Sequence, residues 1–124
     1  MRELIEDILN EAKRRGASFA DLRVREGEST SVTVEDGQAD RVASASRSGE
    51  GLRVLVDGAW GFAPTNTVTA EELGGCLDDA LSMTKAAGGW VSEPGVVAEV
   101  EPVEATVEAQ AEIDPREVPL ADRV

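Results

Sequence analysis

Leu52-Arg53-Val54-Leu55-Val56-Asp57-Gly58-Ala59-Trp60-Gly61-Phe62-Ala63 is the stretch on which the fold turns. Its first five residues are the most β-prone in the chain, because branched and aliphatic side chains fit a pleated, half-buried surface. Asp57-Gly58 then supplies a tight turn, since Gly takes positive φ without steric cost and Asp stabilises the turn locally. Ala59–Ala63 reads as the returning strand, which makes the whole stretch a β-hairpin.

The same pattern continues upstream. Leu22, Val24, Val32 and Val34 alternate with charged or hydroxyl residues between Phe19 and Val34, the period of two expected of strands with one buried face. Gly27-Glu28-Ser29 interrupts that run as a bulge or bend. Asp36-Gly37 is a second hairpin-turn signal, after which Ala39–Arg47 returns as a polar strand of small residues. Ser48-Gly49-Glu50-Gly51 separates it from Leu52, so the count is about four antiparallel strands.

Helical periodicity flanks the strands on both sides. Leu4, Ile5, Ile8, Leu9 and Ala12 fall on one side of a helix over Glu3–Arg15, with Lys13, Arg14 and Arg15 at the negative end of its dipole and Gly16 as the stop. Thr69-Ala70-Glu71-Glu72 fits a capping box, and Leu73, Cys76, Leu77, Ala80 and Leu81 mark the apolar face of a second helix over Ala70–Ala87. The fold class is therefore α+β, with two helices packed on an antiparallel sheet. Residues 1–90 form the expected domain. Residues 91–124, interrupted by Pro94, Pro102, Pro115 and Pro119, read as a Pro-rich extension, a linker or the start of a following segment. Val96–Val107 is the one stretch of it with strand character.

Composition narrows the function classes. A net charge of −13, from 25 acidic and 12 basic residues, repels nucleic acid phosphates and anionic membrane surfaces. Neither is an expected partner. The carboxylates are spread along the chain without long blocks, which favours general surface solvation suited to high salt over a basic-partner face or DNA mimicry. No apolar run approaches the roughly 20 residues that span a bilayer, and the chain reads as cytoplasmic. The single cysteine, Cys76, falls on the apolar face of the second helix and reads as a buried core thiol. With no histidine, a Ser-His-Asp triad, a Cys-His pair and an HExxH zinc motif are all absent.

Few residues stand out as carriers of chemistry. Asp57, Asp78, Asp79 and the glutamates show no convergence and read as solvated surface, with Asp57 at a turn. The glycines at 49, 51, 58 and 61 lack the helix and lysine of a phosphate loop and read as turn and bulge residues. Three side chains remain as candidates for peptide or subunit contact. Trp60 and Phe62, alternate residues of one strand, share a face, where core packing competes with a contact surface. Arg53 lies on the face opposite Leu52 and Val54 and needs a carboxylate partner or solvent, with a structural ion pair favoured over a substrate clamp.

Gly16-Ala17-Ser18-Phe19-Ala20-Asp21-Leu22-Arg23, Glu35-Asp36-Gly37 and Gly51–Ala63 together resemble the N-terminal domain of the TldD/PmbA metallopeptidase family, once labelled modulators of DNA gyrase. The similarity runs from about Leu4 to Ala87, and Ile113-Asp114-Pro115-Arg116 also looks like the family's continuation. The resemblance implies a parent several times longer. Such a parent is a zinc-dependent peptidase whose HExxxH motif lies in a later region and which pairs with a related non-catalytic subunit. It implies a non-catalytic domain that assists assembly and guides an unfolded peptide in proteolysis. No position here matches the metal motif, so no catalytic or zinc residue is carried over. The alternative class is a free-standing acidic interaction or regulatory module.

Overall fold

The structure is a computed structural model describing residues Met1–Val124. The element order is α1 (Arg2–Arg14), β1 (Phe19–Glu35), β2 (Gln38–Val56), β3 (Ala59–Thr65) and α2 (Ala70–Ala87), with short 3-10 turns at Gly88–Trp90, Pro115–Glu117 and Leu120–Arg123. The strands form one antiparallel sheet in the order β1-β2-β3. The fold is α+β.

The sheet has three strands where the sequence predicts about four. Gly27-Glu28-Ser29 does not interrupt β1, and Ser48–Gly51 does not interrupt β2: each strand runs unbroken through them. Glu50 sits opposite Thr65 and Gly51 opposite Pro64, in register with Leu52–Ala63, Arg53–Phe62, Val54–Gly61 and Leu55–Trp60. Glycine weakens a strand but leaves its backbone N–H and C=O free to pair. The strand expected within Val96–Val107 is also absent. Pro102 removes a donor, no neighbouring strand offers a ladder, and Val96, Val100, Val103 and Val107 are all exposed.

Both turns at Asp-Gly are as the sequence predicts. Asp36 and Gly37 have φ of 50° and 75°, and Asp57 and Gly58 have 49° and 80°, so positive φ at both central residues matches the twist of the flanking strands. The helix ends are equally local in origin. At the end of α1 the Ala17 N–H donates to the Ala12 carbonyl and the Gly16 N–H to that of Lys13, with Gly16 at φ 101°, which is a Schellman closure. At the start of α2 the Thr69 hydroxyl accepts from the Glu72 N–H at 3.2 Å, the first half of the expected capping box.

The residues divide into two compact units. The first, Met1–Gly27 with Arg47–Ala98, holds the core. Ile8 and Ala12 of α1, Leu52 and Val54 of β2, Ala63 of β3, and Leu73, Cys76, Leu77, Ala80 and Leu81 of α2 form one buried cluster, with Ala20 and Leu22 against it. Leu52, Leu73, Leu77 and Val54 are its largest fully buried side chains, each stabilising by about 1.5–3 kcal/mol. Arg15 at the end of α1 is tied to Asp78 of α2 at 2.6 Å. Gly61 is neither a turn nor a bulge glycine: a Cβ there would lie 1.9 Å from the Ala80 carbonyl oxygen, so α2 sits directly on the β3 backbone.

The second unit comprises Glu28–Ser46 and Glu99–Val124. Its hairpin carries Thr30 and Ser44 hydroxyls 3.4 Å apart. In its C-terminal part Asp114 binds Arg116 through both carboxylate oxygens and caps the Pro115 turn, while Arg123 donates to the carbonyls of Val118 and Pro115. The Arg116 guanidinium draws the Asp114 carboxyl down to about 2.

Candidate functional site

Two faces of the sheet in the first unit differ sharply. Alternation sends Leu52 and Val54 into the cluster with α2, and Gly51, Arg53 and Leu55 to the other side. Opposite them on β3 stand Trp60 and Phe62. This outer face has no helix on it. Trp60 is 39% exposed and Phe62 50% exposed. The two aromatics share a face as expected, but the core reading for them is overturned, because α2 packs on the side of Leu52 and Val54 and both rings stay exposed on the other.

Arg53 is the organising residue of the outer face. Its Nε donates to Asp21 Oδ1 at 3.0 Å and its Nη2 to Oδ2 at 2.6 Å, the parallel fork that a planar guanidinium makes with a carboxylate. Asp21 raises the Arg53 pKa further through that hydrogen bond. The guanidinium carbon lies 4.9 Å from the Trp60 ring centroid and 5.7 Å from that of Phe19, and those two rings meet edge to face at 6.0 Å. A cation over aromatic faces is favoured by the ring quadrupole. The ion pair expected of Arg53 is therefore present, within an aromatic frame that fixes the guanidinium plane.

The chain after α2 contributes to this face as well. The Gly95 N–H donates to the Gly58 carbonyl at 2.8 Å. A Cβ on Gly95 would lie 2.7 Å from Trp60 Nε1 and 3.0 Å from Leu55 Cδ1. Pro94-Gly95 thus closes over the second turn and buries Leu55 on the outer side, while Trp60 stays half open.

Beside Arg53 lies a groove of about 400 Å³, bounded by Asp21, Arg23, Arg25, Gly49–Gly51, Arg53 and Phe62. Phe62 leans over Gly51, where a Cβ would come within 2.8 Å of its ring. The structure brings two of the three expected residues, Arg53 and Phe62, to the groove itself, with Trp60 beside Arg53. Sequence reasoning passed over Asp21, Arg23 and Arg25. The available signal was their spacing of two along β1, out of phase with Leu22 and Val24, which puts all three on the face of Arg53.

Chemically the face presents aromatic rings and guanidinium donors. No group of three or more His, Cys, Asp or Glu side chains lies close enough to share a metal ion. The residues present do not fit a zinc site, and no zinc chemistry is assigned to them. Cys76 is 6% exposed, its Sγ faces the Pro64 carbonyl at 3.7 Å, and burial pushes its thiol up, as do Asp79, Glu72 and Glu50. That is an inert core thiol, as its place on α2 suggests. No helix is long and apolar enough to cross a membrane.

The comparisons agree with this architecture. A metalloprotease of Methanocaldococcus jannaschii is 26% identical over 105 residues, covering 85% of this chain and 23% of the relative. A metalloprotease of Synechocystis is 28% identical over 108 residues, covering 86% and 22%. The chain thus spans less than a quarter of the length of these relatives. The crystal structure of TldE from Thermococcus kodakarensis shares the fold, with a TM-score of 0.60 at 18% identity over 88% of this chain and 24% of that one. The family model described as PmbA/TldA metallopeptidase domain 1 matches residues 20–84, more than half of the chain. This chain belongs to the PmbA/TldD metallopeptidase family, to which it contributes the fold of the first domain.

Proposed function

We propose that this chain is the non-catalytic first domain of a larger cytoplasmic zinc peptidase, in which it assists assembly with a related subunit and guides an unfolded peptide toward the active site. The observation that carries the reading is the outer sheet face. Its aromatic side chains Trp60 and Phe62 stand half exposed, Trp60 against a guanidinium that Asp21 already holds in place and Phe62 across the strand pair from it. Rigid aromatic surface beside an oriented Arg is the composition of contact hot spots, where large apolar area is buried at low cost in side-chain entropy. An extended peptide meets such a surface through alternate side chains.

The domain supplies no proton-transfer group or metal ligand in this account; its work is binding and positioning. Zinc, held by residues of the parent outside this chain, would polarise the scissile carbonyl or its attacking water. The test is the paired substitution Trp60→Ala and Phe62→Ala in the full-length parent, assembled with its related subunit. The expected result is hydrolysis of an unfolded peptide weakened through KM, with zinc content and kcat retained. Unaltered kcat/KM in a correctly assembled variant would remove the docking role.

A further inference from the structure

We infer that the groove beside Arg53 is a carboxylate subsite, which accepts an Asp or Glu side chain of an extended peptide while a neighbouring apolar side chain of that peptide rests on Phe62. The inference builds on the docking role proposed above and names the peptide chemistry that the face selects. It starts from an imbalance of charge. Acidic residues outnumber basic ones by 25 to 12 in this chain, yet Arg23, Arg25 and Arg53 converge on one groove. The two carboxylates at the groove offset them only in part. Asp21 is engaged by the Nε and Nη2 of Arg53. Glu50 is only 5% exposed, and alternation with Leu52 and Val54 turns it toward α2, where its charge acts on the Cys76 thiol.

The donors left over are well placed for an incoming anion. Arg53 keeps Nη1 outside its fork with Asp21, and Trp60 and Phe19 hold the guanidinium in position. Arg25 is exposed and makes no ion pair, and Arg23 reaches only Asp21, at 3.8 Å. Between these donors and Phe62 the floor is made of Gly49 and Gly51. At Gly51 the Phe62 ring takes up the space of the absent side chain, and at Gly49 only the Asn66 side chain is near, so the groove is open beside Gly49 and bordered by the ring at Gly51. Residues two apart on an extended peptide project from the same side, so a carboxylate and an apolar side chain in that spacing reach arginines and ring together. A shared pair of guanidinium groups suits a carboxylate because each N–H points at an oxygen lone pair.

The experiment is fluorescence anisotropy of the 124-residue chain with a fluorescein-labelled, unstructured peptide carrying repeated Glu-Ser-Leu, compared with the same peptide carrying Gln-Ser-Leu. The Glu peptide is expected to bind about fivefold more tightly at low salt, the worth of one exposed charge pair. Added NaCl should narrow the gap. Arg25→Gln should erase the preference, whereas Lys85→Gln, on the last turn of α2, should leave it intact. Equal binding of the two peptides, or a preference that survives Arg25→Gln, overturns the carboxylate subsite while leaving peptide docking in place. Failure of both peptides to bind overturns both readings and points instead to a folded surface as the occupant of this face.

Discussion

At the level of single residues, Arg53 and Cys76 illustrate opposite fates of a polar atom in a small domain. Arg53 emerges from an apolar strand on the side without helices, where a carboxylate of the neighbouring strand β1 meets it and water remains close. Cys76 emerges from α2 on the side with the core, and burial keeps its thiol neutral. That difference has a measurable pH signature. The folded state holds the thiol proton more tightly than the unfolded chain does. The associated stability is fully present below the ordinary thiol value near 9 and is lost as pH rises through the higher folded value. Few groups confuse the measurement, because the chain has no tyrosine and its two lysines, Lys13 and Lys85, are exposed. Urea unfolding at a series of pH values should show stability declining above about pH 9, and Cys76→Ala should flatten that alkaline slope. A slope unchanged in the variant would assign it to other groups.

At the level of elements, Gly61 governs how closely α2 can lie on β3. The Ala80 carbonyl and the Thr84 methyl occupy the space of its absent side chain. Gly61→Ala forces backbone against backbone, and overpacking of this kind costs about 1–3 kcal/mol, occasionally more. Gly49→Ala, in the neighbouring strand and with only the Asn66 side chain nearby, should cost far less. Denaturant midpoints of the two variants at equal m-value check the contrast; equal midpoints would mean that α2 shifts freely on the sheet. Gly61 also shows where sequence reasoning stops. The two helices, the Schellman glycine at Gly16 and both Asp-Gly turns were legible because each is decided by residues a few positions apart. The closeness of Gly61 to Ala80 depends on how helix and strand cross, which no local pattern encodes. Alternation likewise put Trp60 and Phe62 on one face, but which face the helices would cover was undetermined, and the glycines around Glu50 hid the continuity of β2. At the candidate site, the need of Arg53 for a carboxylate was readable, whereas its choice of Asp21 required knowing how β1 lies against β2.

For the whole molecule, the dominant physical fact is the net charge of −13. Even if every basic residue had its own acidic partner, thirteen carboxylates would remain without one, and the ion pairs that do form are mostly between exposed side chains. Exposed pairs contribute little, about 0–1 kcal/mol each, while the uncompensated charges repel one another and favour an expanded chain. Screening acts on the second effect more than on the partly buried fork of Arg53 and Asp21. At low ionic strength, on the order of 0.01 M, the Debye length is about 30 Å and reaches across a domain of this size; at 1 M it is about 3 Å. Added KCl should therefore raise the thermal midpoint steadily over that range. Scanning calorimetry at several KCl concentrations, with the paired substitution Glu3→Gln and Asp7→Asn on the exposed side of α1 as a charge-reduced comparison, separates this from general salting-out. If self-repulsion limits stability, the substituted chain starts from a higher midpoint at low salt and gains less from KCl. Parallel curves for the two chains would instead assign the gain to stronger apolar burial, and the acidic surface would then owe its existence to solubility rather than to salt.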